Sequence, residues 1–383
     1  MSYEYLEKDV IPVKLCKEVG RIKENIVPLS PGEEERALRI HRQALVVDFH
    51  VHFTMLPENL DHYETWVRSG RPPCAYEGVK RSGLTGCLLG FGGNMGRRSS
   101  PVPWRFEDIV WDLGMRRADM DHHRDIISRA LFTEDILEAK KNNRTAVIAH
   151  IESTQMIEND LDRLDVLYGL GVRCLGLTYN TRTDVGDGCG ERTDSGLSSF
   201  GLKVVERMNR LGMLIDLAHS APLTSTEAIE ASTAPCCITH AFPRAVYDHP
   251  RGVPDSVLEL LVKKGGIIGV EAVPNITSFK EKQTVFDVIE HVDYLVKRFG
   301  IDHVAIGTDT MFGDHVAFHK HMMKVTSLSS LIHRFPAEYI DFIENPGQWP
   351  NVTRALVARG YSDEQIEKLI GGNVLRILKQ TIG

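Results

Sequence analysis

"VVDFHVHF", residues 46–53, is an apolar run that breaks into two histidines one residue apart. In a strand, side chains two apart project to the same side, so His50 and His52 can grip one ion together. An apolar strand closed by polar residues also occurs as a plain structural edge. The stretch alone leaves both readings open, and the rhythm of the chain beyond it decides the fold.

From residue 44 onward, short runs rich in Val, Ile, Leu and Cys alternate with segments of helical period: residues 44–49, 84–91, 145–151, 172–179, 212–218, 236–239, 266–272 and 303–308 form eight candidate strands. Helical candidates such as "NDLDRLDVLYGLG", "FGLKVVERMNRLG" and "VPDSVLELLVKKGG" lie between them, each running into the glycine that suits a helix C-terminus. Strands that alternate with helices pair in parallel. Eight of them predict an α/β fold, a TIM-like (β/α)8 barrel over residues 44–383, although an open doubly wound sheet gives a similar string. Residues 1–43 read as a helical extension packed outside the barrel. Residues 92–144 read as a long insertion after strand two, whose loop-like "GGNMGRRSSPVPWRF" serves either as an active-site lid or as surface padding.

With 42% apolar and 25% charged residues, 383 residues can bury a large core, which excludes disorder as the main state. The net charge of −7 and the lack of a basic run argue against nucleic acid as a partner. The first residues mix charges, and no stretch approaches the roughly 20 apolar residues that span a bilayer, so the expectation is a cytoplasmic chain with no membrane contact. Seven cysteines, with no Cys-x-x-Cys spacing and mostly in apolar runs, read as reduced core residues.

Chemistry in such a barrel collects at the C-terminal ends of the strands. Those ends carry His50, His52, Glu152, Tyr179, His219, His240, Glu271 and Asp309. Taken singly, each has a structural reading; Glu152, for example, can cap a following helix. Four histidines and a carboxylate at equivalent points of a cyclic fold converge instead on one small volume. Neutral imidazole suits zinc, iron and related divalent metals, and a carboxylate can bridge two ions. Two ions ~3.5–4 Å apart hold a hydroxide nucleophile and polarise a carbonyl.

The words "GLGVRCLGLTYN", "GLSSFGLKVVERMNRLGMLIDLAHSA", "ITHAFPRAVYDHPRGVPD", "HVAIGTD" and "NVTRALVARGYSDEQIEKLIGGNVLRIL" resemble the renal or membrane dipeptidases, peptidase family M19, among the amidohydrolase-type barrels. That resemblance implies a pair of divalent metals, normally zinc. Glu152 would bridge them, His219 and His240 would hold the second and His50 the first. Arg251 would meet a substrate carboxylate, and Asp309 would meet the substrate amine and carry a proton to the leaving nitrogen. Without the resemblance, Arg251 reads equally as a surface ion pair with Asp248 or Asp255.

Four departures surround the reaction centre. His52 stands where the family has Asp, Tyr179 where it has a His that supports the oxyanion, "DTMFGDHVAFHKH" follows Asp309 in place of Asp-Phe-Asp-Gly, and His150 occupies a position expected to be small or apolar. In other amidohydrolase-type barrels His-x-His accompanies a strand-eight Asp that binds metal, which makes Asp309 a candidate ligand as well. His315, His319 and His321, in the segment after strand eight, read as a solvent-exposed loop, with the alternative that they shape a pocket or pick up metal, and Glu271 either reaches the pocket or does not.

The expectation is a divergent metal-dependent hydrolase that cleaves the C–N bond of a dipeptide or small modified amino acid by metal-bound hydroxide. Tyr179 steadies the oxyanion, Asp309 moves the proton and Arg251 anchors the substrate. Lactone hydrolysis, decarboxylation or a lyase step on a carboxylated metabolite, and a non-catalytic binding role, are the alternatives. By resemblance, a homodimer is possible.

Overall fold

Eight parallel strands succeed one another around a nearly closed barrel in the computed structural model, which describes residues 1–6, 10–324 and 331–383. They are β1 (Val47–Val51), β2 (Gly86–Gly90), β3 (Thr145–Ile151), β4 (Val172–Gly176), β5 (Leu214–Asp216), β6 (Cys237–Ala241), β7 (Ile267–Val270) and β8 (Val304–Ile306). Each pairs in parallel with the next along the chain. The ring closes just beyond β8, where the N–H of Asp309 donates to the carbonyl of His50 at 2.8 Å and the N–H of His52 to that of Thr310 at 2.9 Å. The open-sheet alternative is thereby excluded, and all eight apolar runs become strands, most of them ending earlier than the run does.

The helix Ser199–Leu211 shows how the sequence places the outer layer. Ser198 caps it by accepting from the N–H of Gly201 at 2.9 Å, and Gly212 ends it with φ +70°, a conformation that costs glycine little. Its buried face is Val204, Val205 and Met208. Inside the ring, Val47, Phe49, Leu88, Ile148, Cys174 and Ile267 pack with Val374, Ile377 and Leu378 of the C-terminal helix Asn373–Thr381. Each such side chain stabilises the fold by roughly 1.5–3 kcal/mol through burial.

The insertion differs from its reading. It contains a helix, Phe106–Asp121, and a further strand, Ile127–Ala130, which lies along the first half of β3 on the edge that β4 takes further on. That strand, "ISRA", has two adjacent polar residues, Ser128 and Arg129, between its apolar ends and so offers no apolar run to find.

Among the described residues of the N-terminal region, the helix is Pro31–Gln43, where Ser30 and Glu33 form a capping box. This helix is tied to the helix Pro350–Ala358 by the Glu34–Arg354 ion pair, 2.7 Å, and to the barrel by His41, which bonds Thr353 at 2.8 Å and the carbonyl of Ser82 at 3.0 Å. Ahead of it the chain lies against the barrel in extended segments; the N–H of Cys16, for instance, donates to the carbonyl of Leu56. All seven cysteines are free thiols. Among the described residues no helix is long and apolar enough to cross a membrane.

Candidate metal centre

At the C-terminal mouth of the barrel four imidazoles turn their Nε2 atoms toward two carboxylates. Nε2 of His50 and His52 lie 3.2 Å apart, and those of His219 and His240 lie 2.9 Å apart. Glu152 reaches both pairs. Its Oε2 is 3.8 Å from His50, 3.3 Å from His219 and 3.7 Å from His240, and its Oε1 is 3.9 Å from His52. Asp309 Oδ1 sits 3.2 Å from Nε2 of His52 and 3.4 Å from that of His50. Three overlapping sets result whose donor atoms all lie within 4.8 Å of one another and could hold an ion: His50, His52 and Glu152; His50, His240 and Asp309; Glu152, His219 and His240.

The backbone is forced to deliver these groups. His219 has φ +67°, Asp309 φ +51° and Asn180, which supports His219, φ +60°, all in the left-handed region that non-glycine residues seldom adopt. Gly90, at the end of β2, leaves room for the His-x-His pair, because a Cβ there would stand 2.7 Å from Nδ1 of His52.

Hydrogen bonds behind the cluster orient His219 and His240. Asn180 Oδ1 accepts from Nδ1–H of His219 at 2.7 Å. The hydroxyl of Thr239 donates its single proton to Asp216 at 2.7 Å, and so accepts from Nδ1–H of His240 at 2.8 Å. Asp216 also faces Nε2 of His150 at 3.1 Å, and His150 shares a 2.8 Å hydrogen bond between its Nδ1 and Nδ1 of His50. When His150 is neutral with its proton toward Asp216, His50 is the donor in that bond. In His219 and His240 the proton then sits on Nδ1 and the Nε2 lone pair points inward, as it does in His50 while His150 is neutral; against burial, Cys174 and Asp216 raise His150 well above the usual imidazole value, and in its charged form it would donate to Nδ1 of His50. Facing lone pairs repel unless a cation lies between them, so the donor set fits divalent metal.

Burial reinforces this state. It drives the pKa of His50 down to about 3 and those of His219 and His240 well below the usual imidazole value, keeping them neutral. Burial opposes the charge of Asp309, but His240, His50 and His52 around it outweigh that and hold its carboxyl well below the ordinary range. Glu152 is raised to about 7 by burial and by Asp309, against the pull of His52. A bound cation would lower it. Tyr179 is raised well above 10 by burial, Glu152 and Asp309, so its phenol keeps its proton.

The ring of Tyr179 lies tilted against His219, 4.2 Å between centres, and meets Trp104 of the insertion at 5.2 Å. The pocket over the cluster is lined by His52, Glu152, Tyr179 and Asp309 together with Trp104, Met95, Phe318, His315 and His319. The insertion therefore forms a wall of the pocket. The exposed-loop reading of residues 315–321 is overturned: they belong to the helix His315–Met322, where His315 and His319 are buried and one turn apart, 4.4 Å between ring centres. His321 is turned away, 3.8 Å from Glu64.

Arg251 is buried, and its partner is neither Asp248 nor Asp255 but Glu271, at 3.0 Å. Sequence reasoning missed Asp216, Thr239, Asn180 and Trp104. A signal existed for the first: Asp216 is a lone carboxylate inside the apolar strand "MLIDLA", where only a hydrogen-bonded role is tolerated.

Fold and site define a metal-binding barrel of the amidohydrolase type. A family model, "Membrane dipeptidase (Peptidase family M19)", matches residues 117–341 and 335–382, and the chain belongs to that family. It is 29% identical over 276 residues to Dipeptidase tcpJ of Claviceps purpurea, covering 71% of this chain and 60% of that protein. It is 30% identical over 245 residues to Dipeptidase 3 of Macaca fascicularis, covering 62% of this chain and 46% of that protein. The chain thus matches about half to three fifths of these relatives' length. Among solved structures, an amidohydrolase from Pseudomonas aeruginosa superposes with a TM-score of 0.74 at 26% identity, over 90% of this chain and 98% of that one.

Proposed function

We propose that the protein is a metal-dependent hydrolase that cleaves the C–N bond of a dipeptide or another small amide, using two divalent ions. The observation that carries this is the position of Glu152, whose carboxylate lies within 3.9 Å of Nε2 on all four histidines. His50, His52 and Asp309 would hold one ion, His219 and His240 the other, and Glu152 both. Four nitrogens and two carboxylates favour zinc over the oxygen-seeking magnesium and calcium.

Bound there, the ions would polarise the scissile carbonyl and acidify water. The protein's own groups supply the rest. Tyr179, protonated and on the pocket wall, donates a hydrogen bond to the oxygen that gains charge as the carbonyl is attacked. Asp309, ionised beside the ions it would help to hold, accepts a proton and passes it to the departing nitrogen. Trp104, Met95 and Phe318 exclude water from above. The family relationship to proteins named dipeptidases supports an amide substrate.

The test is turnover of L,L- and L,D-dipeptides by protein reconstituted with zinc or manganese. Hydrolysis that disappears with Asp309→Asn is the expected result, and metal-replete protein inert toward every small amide would refute the proposal.

A further inference from the structure

The helix His315–Met322 brings two imidazoles to the pocket over the metal centre. His315 and His319 are one turn apart, which puts them on one face of the helix, and they are only 5% and 6% exposed. The helix that carries them is fixed: Asp314 caps it by accepting from the N–H of Ala317 at 2.8 Å, and Phe318 packs in an apolar cluster with Leu56, Tyr63 and Trp66. Nδ1 of His319 is buried and has no hydrogen-bond partner among the described residues. The same holds for Oδ1 of Asn94, which lines the same pocket from the insertion. Buried polar atoms without partners are costly, so they mark a place where an incoming group is expected to bring them.

The chemistry of that group follows from what surrounds it. Burial keeps both imidazoles uncharged, the pKa of His315 pushed down to about 4 and that of His319 well below the usual value. An uncharged imidazole offers one donor and one acceptor, and the oxygen of Asn94 only accepts. The acidic groups that line the pocket are Glu152 and Asp309, both assigned to the ions, and two divalent ions carry more positive charge than these two carboxylates offset. A cationic substituent is therefore repelled and finds no free carboxylate to pair with, while an anionic one is drawn to the ions and away from the uncharged wall. A hydroxyl or a carboxamide, uncharged and able both to donate and to accept, satisfies His319 and Asn94. An aliphatic group of the same shape leaves both unmet.

We infer that His315 and His319 are specificity-determining residues which, with Asn94, select substrates whose side chain carries a hydroxyl or a carboxamide over the aliphatic isosteres. The inference rests on the hydrolase reading above and narrows its substrate class.

Isosteric dipeptide pairs test it on the metal-loaded full chain near neutral pH: Thr against Val and Asn against Leu, each joined to Ala in both orders. The wild type is expected to favour the polar member of a pair by at least about tenfold in kcat/KM, and to bind its phosphinate analogue more tightly by a similar factor in calorimetry. In His319→Phe the preference should fall to near parity, mainly through KM, while elemental analysis shows the metal content of the wild type. Should that variant not fold, a crystal of the wild type with the phosphinate analogue of the favoured dipeptide decides: its side-chain hydroxyl or carboxamide is expected within ~3.2 Å of a ring nitrogen of His315 or His319. Equal treatment of both members of every pair by the wild type overturns the inference, as do a preference unchanged in His319→Phe, a loss of metal in that variant, or a bound analogue whose polar group lies away from both rings. Metal-loaded protein that neither cleaves any of the dipeptides nor binds any analogue overturns the hydrolase reading and this inference with it.

Discussion

Nδ1 of His150 lies 2.8 Å from Nδ1 of His50, and the far side of the same ring meets Asp216 at 3.1 Å. One buried carboxylate thus stands behind both halves of the centre, supporting His50 through His150 and His240 through Thr239. Removing such a partner typically weakens metal binding about 10–100-fold. Asp216→Ala is therefore expected to loosen both ions, and Asn180→Ala, which releases only His219, a single one. Competition with a coloured chelator measures this; unchanged affinity in Asp216→Ala would contradict it.

Gly90→Ala places a methyl group against the His52 ring. Because the obstruction falls on a proposed ligand, the expected result is loss of about one of the two proposed ions by elemental analysis, with the His219 and His240 pair still loaded. Full metal content in a folded variant would mean that His52 is not needed to hold an ion.

Trp104→Ala removes the wall that packs on Tyr179. The ring contact of the indole is with Tyr179 and not with a histidine of the cluster, so metal content should stay the same while KM rises several-fold, on the order of 1 kcal/mol of lost contact. A fall in metal content with unchanged KM would assign Trp104 a different role.

His41 links the N-terminal helix to the barrel as a neutral imidazole, its pKa pushed down from 6.5 to about 4 by burial. In the unfolded chain it takes up a proton at about 6.5. Its contribution is therefore complete above that value and is lost as pH falls toward 4, amounting to at most about 3 kcal/mol. Urea unfolding of wild type and His41→Gln should converge over this interval as pH is lowered. Parallel pH profiles would argue against the assignment.

The barrel was legible because its strands are continuous apolar runs: "TAVIAHI" is a strand from its first residue to its last. The side strand "ISRA" was not, since half its residues face solvent. The ligand cluster was legible because polar groups at the ends of apolar strands converge on the barrel axis, and His50, His52, Glu152, His219, His240 and Asp309 do lie together. The partners of Arg251 and His150 were hidden, since Glu271 and Asp216 approach from other strands and only the register of the closed ring brings them into range. His315 and His319 were misread for a similar reason: a polar-looking segment forms a helix whose buried face covers the pocket.

The most direct measurement is anomalous diffraction from crystals of zinc-loaded protein. Two ions are expected, one among His50, His52 and Asp309 and one between His219 and His240, with Glu152 touching both at ~2.0–2.2 Å. Zinc-loaded crystals without an ion at this cluster, or with Glu152 and Asp309 both beyond ligand distance of every ion, would contradict the proposed centre.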